Sequence, residues 1–426
     1  MSSKARGTSV RRTVRSLGGK VIRRLGLLPG GIPDGLGDDE RLLGTTLEQQ
    51  VVVFFADTVD GLYQLRQWYG PLHALDERRG VLVVTSDSRT ARAVRAESGL
   101  DVVTVAHYAT LDDLFGRGDV RLALYVNHNP LNFSMLRFGS MAHVSLLHGD
   151  SDKVVSVSNQ AKAYDLSFVA GQAAIDRLGT YLHHFDAVAR CVPVGRPQLD
   201  EEPLVVGARP DAGARTAVLY APTWEGAQPS AAYGSVGVLG TALVRALLAD
   251  GRFRVLYRPH PLSGVRLPAY GEADAQIREL VAQAAEADPA AGHRVSTDES
   301  LAAAFDAADL LVSDVSAVAM DWLPTRRPLV VTDPRHAGVR TASTRMLETV
   351  PRLSPDDVAG APDVLHAEVA DDPGRAGREA MVEYYLGDTT PGAATDRFLE
   401  ACDETVAWQS EALGLPVPPA RSRVTP

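Results

Sequence analysis

Cysteine is scarce in this sequence: Cys191 and Cys402 are the two among 426 residues, and neither has metal-ligand spacing around it. That argues against a disulfide framework or a cysteine-based zinc site and fits a reducing compartment. Both thiols read as small buried hydrophobes. Long apolar runs are also missing. None reaches the roughly 18 residues that a membrane-spanning helix needs, and the longest, such as Val51–Ala56, have the length of strands. There is no G-x-x-x-x-G-K-[ST] and no G-x-S-x-G, so neither a P-loop nor a serine-hydrolase elbow is indicated. No D-x-D is read at a strand end, so the sequence calls for no metal and no cofactor.

Acid is missing from residues 1–33, which carry Lys4, Arg6, Arg11, Arg12, Arg15, Lys20, Arg23 and Arg24. The whole chain has net charge −10, so the remainder stands at −18. An acidic body does not fit nucleic-acid binding. Within the basic segment Val10, Val14, Leu17, Val21, Leu25 and Leu28 fall on one helical face. Such a helix can lie on an anionic membrane surface, apolar residues inward and Lys/Arg at the headgroups. A basic tail, or a helix packed on the acidic body, is the plainer alternative, and Gly18-Gly19 weakens any helix there by about 1 kcal/mol per glycine. No continuous apolar stretch follows the charges, so a secretory signal is not indicated.

Beyond Pro29–Asp39, short apolar runs alternate with helix-compatible stretches. The runs are Val51–Ala56, Val81–Thr85, Val102–Val105, Leu122–Asn127, Val144–His148, Leu166–Ala170 and Cys191–Val194. After a Pro-, Gly- and acid-rich stretch at Gly195–Ala214 a second series follows: Ala217–Pro222, Phe253–Arg258, Arg294–Thr297, Leu310–Ser313 and Leu329–Thr332. Runs apolar throughout, separated by helices, predict parallel strands buried on both faces. The fold class is therefore α/β, with two Rossmann-like domains, residues 40–196 and 215–390, and a cleft between them. A helix over 391–411 is placed to cross back onto the first domain, and 412–426 reads as a disordered tail. Asp38-Asp39 reads as a solvated pair.

Ligands bind open parallel sheets at the C-terminal ends of the strands, so the residues there are the candidates. His148-Gly149, with Lys153 beyond, ends one strand; an imidazole suits proton transfer near neutral pH and Gly149 permits close approach. Arg258-Pro259-His260-Pro261 ends another, offering a guanidinium fork to phosphate and a second imidazole. Thr223 and Trp224 follow Ala217–Pro222 and can meet phosphate or ribose and a base. Ser313, Asp314 and Ser316 precede a helix that either side chain of Asp314 or Ser316 can cap, leaving N–H groups for a diphosphate. Asp321, seven residues after Asp314, is placed on the same side. Each has an ordinary reading too: a loop hydrogen bond, a turn, a capping box, a core tryptophan.

Taken in order, these residues resemble the CDP-glycerol glycerophosphotransferases of teichoic-acid synthesis. His148-Gly149 with Lys153 is similar to the family's HG-x(n)-K element. Gly195-Arg196-Pro197 with Asp200 resembles G-x-P-R-x-D with Arg and Pro exchanged, and Tyr220-Ala221-Pro222-Thr223-Trp224 resembles YAPTW. Arg258-Pro259-His260-Pro261 and Ser313-Asp314-Val315-Ser316 with Asp321 resemble R/K-x-HP and [ST]DYSS-x(n)-FD. The resemblance implies a GT-B-like transferase; the scarce cysteines and the basic residues 1–33 add the expectation of a cytoplasmic chain that can lie peripherally on the inner membrane face. It implies transfer of glycerol phosphate from CDP-glycerol to a hydroxyl of a lipid-linked or polymeric acceptor. In it His148 is the base, His260 and Arg258 stabilise the diphosphate or protonate CMP, Thr223, Ser313, Asp314, Ser316 and Asp321 serve the donor, and Gly149 and Lys153 contact acceptor or phosphate. Two other readings stay open: a glycosyltransferase using a nucleotide sugar, and a catalytically silent partner of a membrane synthase.

The membrane reading predicts that the full chain pellets with anionic liposomes and that a chain lacking residues 1–33 stays in the supernatant. Equal pelleting of the two removes it.

Overall fold

The computed structural model describes residues 37–147, 149–153, 157–209, 214–226, 232–333 and 344–421. Among these residues the strands form two wholly parallel sheets, ordered β3-β2-β1-β4-β5-β6-β7 and β10-β9-β8-β11-β12-β13. The first comprises β1 (Val51–Phe55), β2 (Val81–Thr85), β3 (Asp101–Thr104), β4 (Leu122–Tyr125), β5 (Ala142–Ser145), β6 (Leu166–Val169) and β7 (Cys191–Pro193). The second comprises β8 (Thr216–Ala221), β9 (Phe253–Tyr257), β10 (Arg294–Val295), β11 (Leu310–Ser313), β12 (Leu329–Thr332) and β13 (Arg352–Leu353). The helices that matter below are α1 (Asp38–Leu42), α2 (Tyr69–Arg79), α3 (Ser88–Ser98), α4 (Tyr108–Arg117), α5 (Gln172–Tyr181), α6 (Thr241–Ala249), α7 (Pro268–Ala287), α8 (Ala317–Trp322), α9 (Arg375–Leu386) and α10 (Ala393–Leu413).

Burial on both faces explains the composition of the strands. In β1 every residue of Val-Val-Val-Phe-Phe is buried, Val51, Val53 and Phe55 in one apolar cluster and Val52 and Phe54 in another. The second sheet is sandwiched likewise, Leu219 and Leu311 facing one core and Val218 and Val312 the other. β-Branched and aromatic residues fit a pleated surface buried on both sides. Local chemistry sets the helix ends. The Asp87 side chain accepts from the Arg89 N–H at the start of α3, and Gly99, at φ 69°, closes it.

Helix α10 crosses from the second half and adds Phe398, Ala401, Cys402 and Val406 to the core of the first sheet. The Phe398 ring lies 5.4 Å from Trp68. The chain beyond it, read from the sequence as disordered from 412, is instead held as far as Arg421. The Pro418 carbonyl accepts from Arg79, the Pro419 carbonyl from Gln50, and the Arg421 N–H donates to the Arg78 carbonyl. A second correction concerns Asp38 and Asp39. Both are buried in α1 rather than solvated: Asp38 accepts from the Thr104 N–H at 2.8 Å, and Asp39 from Ala106, His107 and Thr110. They cap the exit of β3 and the entry to α4. The segment 1–33 lies outside the described residues.

The two halves are joined by a buried ion pair. Arg196 forms a bidentate bridge to Asp321, Nε to Oδ1 at 2.9 Å and Nη2 to Oδ2 at 3.1 Å, the side chains 7% and 6% exposed. Gly195, at φ 85°, makes the turn that delivers Arg196, and a Cβ there would stand 2.8 Å from that of Ala394. Tyr385 on α9 donates to Asp152 at 2.6 Å and Tyr384 to Asp176 on α5 at 2.9 Å. Removing one member of a buried pair leaves an uncompensated charge and costs about 3–5 kcal/mol, whereas an apolar replacement of both is close to neutral. Asp321→Asn is therefore expected to lower the urea midpoint markedly, and the double variant Arg196→Met/Asp321→Leu to recover most of it. Equal midpoints for wild type and Asp321→Asn contradict the strut.

Candidate functional site

In each sheet the strand order reverses once, between β1 and β4 and between β8 and β11, and the crevice at such a switch point is where these sheets take ligands. At the second switch point Asp314 follows β11 and organises its surroundings. Its Oδ2 accepts from the backbone N–H of Thr223 at 2.7 Å and of Ser235 at 3.1 Å, and its Oδ1 from the Thr332 hydroxyl at 2.5 Å. Burial pushes this carboxyl's pKa upward against those donors. Ser313 donates to the Ala221 carbonyl and shares a hydrogen bond with Ser316. Ser313 and Asp314 have no exposed surface, and Asp321 is held by Arg196. In this structure the side chains of all three are engaged by the protein itself: Ser313 by Ala221 and Ser316, Asp314 by Thr223, Ser235 and Thr332, and Asp321 by Arg196. Ser316 is the N-cap of α8, yet its side chain makes no capping bond, and neither does that of Asp314.

His260 stands at the edge of this switch point. Its Nδ1 accepts from the Leu262 N–H at 3.1 Å, which in the neutral ring leaves the proton on Nε2. Trp224 stacks on the ring at 6.2 Å, and Tyr63, from the first half, meets it edge-on at 5.9 Å. An imidazole with one neighbour from each half lies on their boundary. The turn carrying it is fixed by Glu225, whose carboxylate accepts from the N–H groups of Gly264, Arg266 and Leu267. Burial works against that carboxylate, but the N–H donors outweigh it and hold its pKa below the ordinary value. Arg258 sends Nη1 to the carbonyls of Ser296 and Glu299, both at 3.0 Å. Part of the fork expected for phosphate therefore holds the loop after β10.

From the first half come Gly149 and Lys153. A Cβ on Gly149 would approach that of Ala317 to 2.8 Å, so only glycine lets this backbone close on the start of α8. The Lys153 ammonium donates to the Thr223 hydroxyl at 3.1 Å and sits 5.7 Å from the Tyr233 ring centre. His148 itself lies outside the described residues. Leu147 before it has φ 56°, an unusual conformation for a branched residue, and its carbonyl is pinned by Trp68 Nε1 at 2.8 Å.

Several residues escaped the sequence reading. At the first switch point the Asn127 amide donates to Asp57 at 3.1 Å and to Gln64 at 2.7 Å, and burial raises the Asp57 pKa. His128, its pKa lowered by desolvation, lines the adjoining cavity. The string Val-Asn-His-Asn-Pro after a buried run was the available signal. Asp150-Ser151-Asp152 is a D-x-D just past β5 that the reading passed over. Arg177 pairs with both carboxylates.

Desolvation draws the Lys153 pKa down to about 8, with Asp314 pulling it back up. The folded protein then holds fewer protons at this lysine than the unfolded chain between pH 8 and the ordinary 10.5, so its ammonium costs stability below 8 and that cost fades as pH climbs through this window. Affinity for an anion has the opposite dependence. Calorimetry with CDP is expected to show weaker binding as pH rises through about 8, and Lys153→Met to bind about ten-fold more weakly with no step there. An unchanged pH profile in the variant contradicts this.

Residues 208–337 match the model of the family described as CDP-glycerol:poly(glycerophosphate) glycerophosphotransferase. No curated protein matches the chain by sequence. Among solved structures it resembles the wall teichoic acid polymerase TagF, at 14% identity over 95% of this chain and 98% of that one, with a TM-score of 0.51. It also resembles a glycosyltransferase from Rickettsia africae, at 11% identity over 84% of this chain and 98% of that one, with a TM-score of 0.51. At such identities these likenesses speak to fold alone: a two-domain, GT-B-like architecture. The second half of this chain carries the pattern of the CDP-glycerol:poly(glycerophosphate) glycerophosphotransferase family, as the resemblance of its motifs implied.

Proposed function

We propose that this chain transfers glycerol phosphate, or a related polyol phosphate, from CDP-glycerol to a hydroxyl of a lipid-linked or polymeric acceptor in the synthesis of a teichoic-acid-like polymer. The observation that carries the reading is the family match over residues 208–337, which contain Thr223, Arg258, His260 and Ser316, together with a lysine from the first half bonded to Thr223. In the proposed reaction the acceptor oxygen attacks the phosphorus bearing glycerol, a new P–O bond forms, the P–O bond to CMP breaks, and CMP leaves. Such a transfer asks the protein chiefly for alignment and for neutralisation of charge on the phosphoryl oxygens. Lys153, with Thr223 and Ser316, is proposed for the phosphates. His260, with its Nε2 proton, is proposed for the departing CMP. His148 is assigned the base that takes the acceptor's proton. Work at the inner membrane face, with residues 1–33 on anionic lipid, belongs to the same proposal. Among the described residues no helix is long and apolar enough to cross a membrane.

The fold is shared with a glycosyltransferase, so the donor decides. Incubation with membranes and radiolabelled donors is expected to yield product from CDP-glycerol or CDP-ribitol and none from UDP- or GDP-sugars. His148→Ala should lose at least about a hundred-fold in rate at saturating donor. Turnover of a nucleotide sugar alone, or full activity in His148→Ala, contradicts the donor assignment or the base assignment respectively.

A further inference from the structure

Two supports of the His260 ring come from its own half. Leu262 donates its N–H to Nδ1, and Trp224 lies nearly parallel to the ring, at 19° and 6.2 Å between centroids. Tyr63 comes from the other half, its ring 5.9 Å from that of His260 and at 83° to it. The first half sets its place. Tyr63 opens the helical turn Tyr63–Arg66 that follows β1, and Leu62 and Leu65 on either side of it are fully buried in the core of the first sheet. Next to it the Gln64 amide donates to the Tyr63 hydroxyl at 3.3 Å and accepts from Asn127 at 2.7 Å. Asn127 follows β4 and also donates to Asp57, which follows β1. A line of contacts therefore runs from the switch point of the first sheet, through Asn127, Gln64 and Tyr63, to the imidazole beside the switch point of the second.

We propose that Tyr63 is a positioning residue for His260. One hydrogen bond at Nδ1 leaves an imidazole able to swing; a parallel ring narrows the swing, and a second ring set across the first fixes the plane. With the halves together, Tyr63 sets the direction in which the Nε2 hydrogen points. Where they part, His260 keeps Leu262 and Trp224 but loses its aim, so its service to the reaction depends on the register of the two halves. This rests on the transferase reading, in which that N–H is donated to the phosphate of the departing CMP. Tyr63 touches no reacting atom in this account. It acts through its ring rather than its phenol, since the hydroxyl is engaged by Gln64.

The test uses the full chain. kcat and KM for CDP-glycerol are measured for Tyr63→Leu, Tyr63→Phe, His260→Gln and the double variant Tyr63→Leu/His260→Gln. The proposal expects Tyr63→Leu to lose about ten-fold in kcat with the KM for CDP-glycerol within about two-fold, and Tyr63→Phe, which keeps the ring, to stay within about two-fold of wild type. With His260→Gln already in place, Tyr63→Leu should cost less than about two-fold more. Undiminished kcat in Tyr63→Leu, an equal loss in Tyr63→Phe, or the same loss with and without His260 overturns it. In parallel, the ring signals of isotope-labelled histidine are recorded by NMR, the His260 signal being the one missing from His260→Gln. That signal is expected to move in Tyr63→Leu and to stay in Tyr63→Phe; no movement in Tyr63→Leu overturns the proposal. Should Tyr63→Leu fold poorly, Tyr63→Met is read in the same way. Absence of any CDP-glycerol turnover defeats the transferase reading instead, and the histidine signals still decide whether Tyr63 sets the ring.

Discussion

The architecture turns on one buried contact, the bidentate pairing of Arg196 with Asp321. It sits where the first sheet ends and on the helix that follows the second switch point, so together with α10 and the Tyr385–Asp152 bond it fixes the distance and register between the two halves. A buried pair of this kind adds little net stability compared with apolar packing. Its contribution is geometric. With it in place, Gly149 closes on Ala317, Lys153 reaches Thr223, and Tyr63 meets the edge of His260.

From that register the chemistry of the boundary follows. The second half contributes a rigid floor, in which Asp314 ties three chain segments together and Glu225 fixes the turn behind His260. The first half contributes a cation, held close enough to the floor to lose much of its hydration. Preorganised groups in a partly dry site need no rearrangement when charge develops, which is where such sites gain over water.

Much of this was legible in the sequence. Strands buried on both faces must be apolar throughout, and Val81–Thr85, Leu310–Ser313 and Leu329–Thr332 were read with the ends the structure gives them. β13, two residues at a sheet edge, carries no such signal. Asp38 and Asp39 were misread because their partners at residues 104–110 are some 66 to 71 positions away, and a pair of acids in a glycine-rich stretch looks solvated without them. Asp314 and Asp321 were placed together on helical spacing, but the helix begins at Ala317. Asp314 precedes it, so the spacing does not apply. Asp150 and Arg177 meet only in three dimensions. Motif residues at strand ends were readable because chain direction in a parallel sheet fixes where they emerge; side chains that pair across the halves were not.

If one working site is assembled from both halves, a double-mutant cycle on Lys153 and Thr223 will show it. kcat/KM for CDP-glycerol would be measured for Lys153→Met, Thr223→Val and the pair. Groups in direct contact are predicted to couple by about 1 kcal/mol or more, so the double variant should be little worse than the poorer single one. Effects that simply add would contradict the claim, since they would mean that the two halves contribute to turnover independently.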